Sequence, residues 1–184
     1  MSPVLLLPIV FFVSELALLL FRRSKSKGST GGDKHSLLLF WIVIPISITA
    51  GVMLRKHAAP LTAGQAMLYT GAAFVLAGLA IRWLAILQLG KAFTVDVAIA
   101  GDQQLKTDGL YGIVRHPSYT GLLLIVVGLA LCLNNSYSII VMIVPITLAL
   151  AYRIRIEEKM LAAAFGATYE QYKKRTKRLI PGIY

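Results

Sequence analysis

The sequence has 184 residues, of which 57% are hydrophobic and only 15% are charged, and its mean hydropathy is +0.72. A soluble domain is about half apolar and about a quarter charged, whereas these apolar residues form runs of the length, roughly 17–25 residues, that crosses a bilayer. The net charge is +11. The basic residues flank the apolar runs, which is typical of membrane topology rather than of nucleic-acid binding. Composition therefore excludes a soluble domain and predicts an all-α integral membrane protein.

Five apolar runs predict about five transmembrane helices in a single membrane domain over residues 1–184. Their expected bounds, in chain order, are 3–21, 37–54, 63–89, 117–133 and 137–152. Residues 24–34, rich in Ser, Gly and Lys, are predicted to form a flexible linker. Sixteen Lys and Arg residues lie on one side of these spans and two lie in the opposite loop, 55–60. Because cytoplasmic loops accumulate positive charge, we expect the amino terminus outside and the carboxyl terminus in the cytoplasm.

The last two spans are separated only by Asn134-Asn135-Ser136, which predicts a tight hairpin. Pro117 suits the first turn of the fourth span, since its missing N–H is not needed there. The following tail, 153–178, repeats apolar residues at helical spacing and has Gly166 as a predicted break. We expect this tail to form a helical cap at the cytoplasmic membrane surface.

Polar residues that could bind a ligand or take part in catalysis cluster at both ends of this hairpin. Arg115 and His116 precede the fourth span, and Arg153 and Glu157 follow the fifth, four residues apart on one helix face. The simpler interpretations are an intrahelical ion pair for Arg153 with Glu157, an interfacial anchor for Arg115 and a surface histidine for His116. A short hairpin, however, brings its two ends together, which favours a shared site.

Such a site has the groups that an amino-acid-bearing cofactor needs. The helix start at His116 offers N–H donors for a carboxylate, and Glu157 offers acceptors for an ammonium group. Tyr111, Leu105 and Tyr119 could form the walls around a planar purine. This set is compatible with S-adenosylmethionine without being specific to it. No Cys and His spacing typical of a metal site is present, and Cys132, the single cysteine, is expected to be a small buried hydrophobic residue.

Two charged residues lie inside predicted spans, Glu15 in the first and Arg82 in the third. Each lies about six or seven residues from the expected cytoplasmic end. We predict that they form a buried ion pair with a structural role, the alternative being substrate recognition. Trp41 and Trp83 are predicted to be packing or interfacial aromatics.

Two stretches of the sequence carry a family resemblance. Residues 105–111 (LKTDGLY) and 115–121 (RHPSYTG) are similar to the isoprenylcysteine carboxyl methyltransferase family. The resemblance continues through Arg153-x-x-x-Glu157-Glu158 and later positions in the tail, so that it covers about residues 85–183. It implies an S-adenosylmethionine pocket that faces the cytoplasm, formed by about residues 90–120 and 150–184 and roofed by the carboxyl-terminal helices.

The resemblance also implies roles for individual residues. Arg153 corresponds to the family's substrate-positioning arginine, and Glu157 to its acid at the cofactor. The other implied cofactor contacts are Gln103, Leu105, Lys106, Tyr111, His116, Pro117, Ser118, Tyr119 and Glu158. Gln103 and Lys106 stand where the family usually has histidine and valine.

The implied function is transfer of a methyl group from S-adenosylmethionine to a lipophilic acceptor that enters from the bilayer. A carboxylate such as that of a prenylated cysteine is the expected acceptor, held by Arg153 with Glu157. Membrane lipids are the expected surroundings, nucleic acid is not an expected partner, and no signal for an oligomeric state is apparent. Two alternatives are an NADPH-dependent membrane reductase of the sterol type and a non-catalytic membrane module of the same fold. Ser118 in place of asparagine, and the absence of tryptophan after Trp83, favour the methyltransferase over the reductase.

Overall fold

The computed structural model describes residues 3–21, 31–57, 60–61, 64–90 and 104–184. The helices of this described part are α1 Pro3–Phe21, α2 Gly31–Leu54, α3 Gly64–Leu89, α4 Leu110–Ile113, α5 Pro117–Cys132 and α6 Ser136–Arg175. The same residues contain no strand, only one isolated bridge between Val114 and Lys177. The prediction of an all-α fold is confirmed.

One helix bound differs from the sequence prediction. α2 begins at Gly31, so residues 31–34 of the predicted linker are helical. The helix of the expected fifth span continues past Tyr152 to Arg175, which agrees with the helical tail predicted from residue 153, because these residues are good helix formers such as Arg, Glu, Lys and Ala. The predicted break at Gly166 is confirmed as a kink with φ 49° and ψ −125°.

Two of the described helices, Gly64–Leu89 and Ser136–Arg175, are long and apolar enough to cross a membrane. α1, α2 and α5 contribute shorter apolar stretches, and the count of five spans stays a prediction. α5 is joined to α6 through Leu133–Asn135, where Asn134 has φ 52°. The Asn135 side chain accepts a hydrogen bond from Ser138 N at 3.1 Å and so caps the start of α6.

Helices α3 and α5 approach each other so closely that backbone meets backbone. A Cβ atom at Gly71 would lie 2.5 Å from Gly128 O, and one at Gly121 would lie 2.6 Å from Gly78 O. Small residues at such spacing allow helices in a membrane to pack without intervening side chains. Cys132 lies at the same interface and is buried, as predicted.

Adding a methyl group at this interface is expected to destabilise the protein. Gly71→Ala would push against the Gly128 carbonyl, which cannot move independently of α5, and we expect a loss of about 1–3 kcal/mol. Gly51→Ala is the matched control, because its Cβ would meet side chains rather than backbone, namely Met142 at 2.7 Å and Leu133 at 3.6 Å. Thermal unfolding in detergent micelles measures both variants. Equal melting temperatures for the two would contradict the close packing of α3 on α5.

The close contact of α3 with α5 places Arg82 at the centre of a buried polar cluster. Its Nε and Nη2 donate to the two carboxylate oxygens of Glu15 at 2.6 and 2.8 Å. Its Nη1 donates to Ser118 Oγ at 3.0 Å and to Ser118 O at 3.2 Å. The predicted Glu15–Arg82 pair is confirmed, and both side chains are under 10% exposed. The pair also joins α1 and α3 to the first turn of α5, where the candidate site begins.

Candidate active site

The start of α5 is fixed by its own sequence and by a contact from α3. His116 is the residue that precedes the helix, and Pro117 occupies its first turn, as predicted. Just before it, Gly109 has φ 59°, a left-handed conformation that glycine adopts without strain. Gln88 Oε1 accepts a hydrogen bond from Leu110 N at 2.9 Å and holds the preceding turn against α3.

A short segment after α6, residues 176–184, lies against this helix start and is called the strap. Lys177 O accepts a hydrogen bond from Arg115 N at 2.8 Å, and Arg178 O accepts one from His116 N at 3.0 Å. Thr120 Oγ1 donates to Leu179 O at 2.8 Å. The strap therefore satisfies backbone groups on the approach to α5 that no helical partner could reach.

A buried carboxylate, that of Glu158, connects the strap to α5 and α6. Arg115 Nε donates to Glu158 Oε1 at 2.9 Å, and Arg178 Nε donates to Glu158 Oε2 at 2.9 Å. His116 Nε2 lies 3.5 Å from Glu158 Oε1. The side chains of Arg115 and Glu158 are each 8% exposed, so Arg115 is not the interfacial anchor considered above. A buried charge is stable only when paired, and here two arginines divide the two oxygens of one carboxylate.

The charges around Glu158 decide its ionisation. Burial alone would raise its pKa, but His116, Arg178 and Arg115 together hold the pKa of the carboxyl well below its ordinary value of 4.5. Glu158 in turn raises the pKa of the Arg178 guanidinium. The carboxylate is therefore ionised at neutral pH and remains available as an acceptor for both arginines.

Arg153 lies on the other side of the site, in a shell made by three helices. Its Nε donates to Tyr119 Oη at 2.9 Å, and its Nη1 donates to Ser36 Oγ at 3.2 Å. The guanidinium lies 5.8 Å from the centre of the Phe40 ring, within reach of a cation–π interaction. Arg153 is 3% exposed, so its position is fixed by α2, α5 and α6 together.

Three buried polar atoms near the two glutamates have no hydrogen-bond partner within the described residues: Glu157 Oε2, His116 Nε2 and Tyr169 Oη. His116 Nδ1 lies 3.9 Å from Glu157 Oε2, too far for a hydrogen bond. Burial and then the charge of Glu158 raise the pKa of Tyr169, so its hydroxyl is protonated and able to donate. Buried polar groups are nearly always satisfied in proteins, so this concentration of unsatisfied donors and acceptors indicates a site for a polar ligand.

An apolar cleft lies between α1 and α2 beside Phe40. Its walls are mostly aromatic and aliphatic: Phe11, Phe12, Glu15, Phe40, Trp41, Ile44 and Pro45. Because Phe40 also lies under the Arg153 guanidinium, the cleft adjoins the shell of that arginine. A ligand with a polar head and an apolar chain could therefore contact both features.

The structure brings the start of α5 close to Arg153 and Glu157 of α6. His116 and Tyr119 of α5 stack with ring centres 5.6 Å apart and face Glu157 and Arg153 of α6. Glu158, the other acid of this helix turn, is buried.

Other predicted cofactor contacts have partners within the protein. Tyr111 is buried, and its carbonyl accepts a hydrogen bond from Tyr172 Oη at 2.6 Å. Burial raises the pKa of Tyr172 to about 12, which keeps that hydroxyl protonated. Ser118 is bound to Arg82 as described above, and Lys106 pairs with Asp108 at 2.9 Å.

The remaining predicted cofactor contacts are two apolar residues and one residue outside the described part of the chain. Pro117 is buried, and Leu105 is partly buried. Gln103 lies outside the described residues.

Sequence reasoning missed four residues that shape the site: Ser36, Phe40, Gln88 and Arg178. Ser36 and Phe40 are four residues apart in α2 and so share a helix face, a signal that could have linked them to Arg153. Arg178 entered the sequence argument only as one of many positive charges near the membrane. Gln88 has no distinguishing sequence signal, because its role depends on the turn that α3 meets in space.

Comparison with known proteins identifies the family to which this site belongs. Residues 71–163 match the model of the isoprenylcysteine carboxyl methyltransferase (ICMT) family, which is half of the chain and includes both ends of the site. The chain belongs to the ICMT family. The resemblance noted from residues 105–121 and 153–158 is thereby confirmed.

Relatives and a solved structure agree with this membership. The chain is 37% identical over 112 residues to the protein-S-isoprenylcysteine O-methyltransferase of Schizosaccharomyces pombe, a match that covers 60% of this chain and 48% of that protein. It is 34% identical over 117 residues to a probable protein-S-isoprenylcysteine O-methyltransferase of Oryza sativa subsp. indica, covering 62% and 61%. It also resembles the structure of the eukaryotic intramembrane Ras methyltransferase ICMT, with a TM-score of 0.66, 29% identity and coverage of 78% and 52%.

The match with these ICMT relatives spans about half to three-fifths of their lengths. The match to the family model includes the start of α5 and the region of Arg153 and Glu157. The relatives are named as methyltransferases, so the reductase and the non-catalytic module gain no support from them.

Proposed function

We propose that this chain is a membrane methyltransferase that moves a methyl group from S-adenosylmethionine to a lipophilic carboxylate, such as that of a prenylated cysteine. The observation that carries the proposal is the group of unsatisfied buried atoms on Glu157, His116 and Tyr169, placed next to the buried Arg153. Membership of the ICMT family supports the reaction type. The acceptor follows the names of the relatives.

The unsatisfied atoms fit the amino-acid part of S-adenosylmethionine. Glu157 Oε2 is an acceptor suited to an ammonium group, and Tyr169 Oη is a donor suited to a carboxylate. His116 offers its ring nitrogen at the start of α5, where the helix dipole favours an anion, although Tyr119 N and Thr120 N already donate to His116 O. The partly buried Leu105 and Tyr119 offer surfaces for the purine. These residues would hold the methyl donor.

Arg153 is the residue best placed to hold the acceptor. A guanidinium binds a carboxylate through two parallel hydrogen bonds, which fixes both the position and the orientation of the anion. The apolar cleft beside Phe40 would receive the apolar chain of the acceptor. An acceptor with a carboxylate head and an apolar tail would therefore match the Arg153 shell and the cleft at once.

When bound, S-adenosylmethionine supplies a methyl group on a sulfonium, and the neutral thioether that departs is a good leaving group. The protein then needs no nucleophilic side chain of its own, and its contribution is alignment. Arg153, held by Tyr119, Ser36 and Phe40, orients the carboxylate oxygen, while Glu157 and His116 fix the donor. Such pre-positioning can supply several kcal/mol of the barrier reduction. Burial of the acceptor carboxylate and of the methyl donor excludes water, which would otherwise compete as an acceptor.

The proposed arrangement in the membrane follows the charge distribution. Five spans with the amino terminus outside and the carboxyl terminus in the cytoplasm place the Glu157 side of the site at the cytoplasmic face. The polar donor would then arrive from the cytoplasm, and the lipophilic acceptor would arrive laterally from the bilayer.

Glu157→Gln is expected to weaken S-adenosylmethionine binding about 10- to 150-fold. The substitution keeps the size of the side chain but removes the charge that pairs with the donor ammonium, a charged hydrogen bond of about 1.5–3 kcal/mol. Isothermal titration calorimetry on the detergent-purified full chain measures this change, with NADPH titrated in parallel.

The matched control is Glu170→Gln, which removes the same charge from an exposed position of α6 and is expected to leave binding unchanged. Absence of S-adenosylmethionine binding by the folded wild-type protein would overturn the proposal. Binding of NADPH in its place would favour a reductase.

A further inference from the structure

Arg178, in the strap, interacts with His116 in two independent ways. Its carbonyl accepts the hydrogen bond from His116 N at 3.0 Å. Its guanidinium holds the carboxylate of Glu158, with Nη2 2.8 Å and Nε 2.9 Å from Oε2. The other oxygen of that carboxylate faces the His116 ring at 3.5 Å. Arg178 thus contacts the backbone of His116 directly and its ring through Glu158.

Because two arginines hold the two oxygens of the Glu158 carboxylate, this carboxylate does not form a hydrogen bond with the His116 ring. Arg115 occupies Oε1, and Arg178 occupies Oε2. With both oxygens held by arginines, Glu158 Oε1 stays 3.5 Å from His116 Nε2, and that nitrogen has no hydrogen-bond partner in the part of the chain that the structure describes. Without Arg178, the Oε2 atom would lose its charged partner. A buried carboxylate in that state would need another donor, and the His116 ring already lies 3.5 Å from Oε1.

We propose that Arg178 is a positioning residue for the methyl-donor site: by holding Glu158, it keeps the His116 ring available to the donor. This inference rests on the proposed function, since it concerns the site assigned there to S-adenosylmethionine. Arg178 itself need not touch the donor.

The position of the strap supports this role. Arg178 also donates to Tyr184 Oη at 3.3 Å and lies 5.3 Å from the centre of the Tyr184 ring. Leu179 N and Ile180 N donate to Tyr184 O at 2.7 and 2.8 Å, which closes the strap into a compact turn. The guanidinium is therefore held from both sides, by Glu158 and by the strap itself.

The test compares Arg178→Ala with Arg175→Ala in the full-length protein. Arg175 is an exposed residue in the last turn of α6, so both variants lose one positive charge near the site. We expect the Kd for S-adenosylmethionine, measured by calorimetry, to rise about tenfold for Arg178→Ala and to change less than about twofold for Arg175→Ala. The KM for the donor should rise with the Kd, while kcat at saturating donor should change little.

Two further measurements separate positioning from mere stability. Arg178→Lys keeps the charge but not the planar fork, and it is expected to restore part of the lost affinity. Hydrogen exchange without donor is expected to show faster exchange of the Arg115 and His116 amides in Arg178→Ala than in Arg175→Ala, because their acceptors lie in the strap. This second readout does not depend on activity.

A double-mutant cycle with Glu158→Gln tests the route itself. If Arg178 acts through Glu158, Arg178→Ala should have little further effect on the Kd in the Glu158→Gln background. Additive effects, or an Arg178→Ala variant that binds the donor as Arg175→Ala does, would overturn the inference while leaving the proposed function intact. Failure of the wild-type protein to bind S-adenosylmethionine would instead overturn the proposed function, and this inference with it.

Discussion

Replacing Arg153 by alanine is expected to reduce methyl transfer to a prenylated cysteine about 30- to 5,000-fold. Truncating one partner of a buried, hydrogen-bonded charge pair costs about 2–5 kcal/mol, and this is the range of rate loss that it produces. Arg153 has no near neighbour on α6 that could replace it, because the next arginine, Arg155, is exposed. The loss should appear in turnover and in the KM for the acceptor.

Donor binding distinguishes this variant from the others. Arg153 contacts Tyr119, Ser36 and Phe40, whereas the unsatisfied donor-site atoms lie on Glu157, His116 and Tyr169. We therefore expect Arg153→Ala to bind S-adenosylmethionine within about threefold of the wild-type protein. Arg153→Lys should be intermediate in turnover, because lysine keeps the charge but cannot form the two-pronged contact.

Arg155→Ala is the control for Arg153→Ala, since it removes the same charge two residues further along the helix. Its turnover should equal that of the wild-type protein. The assignment of Arg153 to the acceptor would be wrong if Arg153→Ala and Arg155→Ala turned over at the same rate. It would also be wrong if Arg153→Ala lost donor binding while the acceptor KM did not change.

The sequence was sufficient for the features that depend on local pattern or on charge in an apolar setting. Apolar runs predicted the long helices, Pro117 marked the start of α5, and Gly166 marked the kink in α6. Glu15 and Arg82 were paired correctly because two opposite charges inside apolar helices have few other ways to be stable. In each case the alternative structure would cost much free energy. The sequence of one or two segments is enough to show that cost.

The remaining features depend on contacts that no single segment encodes. Ser118, a predicted cofactor contact, is bound to Arg82, because the glycine contact between α3 and α5 brings those two residues together. Lys106, another predicted contact, pairs with Asp108 two residues away. The contact of both residues with a cofactor stays a prediction. The role of Arg178 arises because the strap returns to the start of α5, a tertiary contact without a periodic signal. Family resemblance predicts which segments form the site but not which side chains already have partners.

Removing the Glu158 carboxylate is expected to have the largest effect on stability. Arg115 and Arg178 would both lose their buried partner, and breaking a buried ion pair by removing one member costs about 3–5 kcal/mol. For Glu158→Ala this corresponds to a melting temperature lower by on the order of 10 °C. Glu170→Gln is the control on the same helix, because the side chain of Glu170 is 55% exposed and its pair with Lys173 at 2.7 Å is worth little.

The pH dependence of stability provides an independent check on Glu158. Its pKa in the folded protein lies below the ordinary value of 4.5, so the unfolded chain binds a proton at a higher pH than the folded chain does. The stabilisation by the carboxylate is therefore complete above pH 4.5 and is lost as the pH falls towards the folded pKa. The difference in melting temperature between the wild-type protein and Glu158→Gln should accordingly stay constant from neutral pH down to about pH 5 and shrink as the pH is lowered from 4.5 to about 3. A difference that stayed constant over this range would mean that Glu158 does not hold Arg115 and Arg178 as an ionised group. The stability of the α5 start would then have to come from the backbone hydrogen bonds of the strap alone.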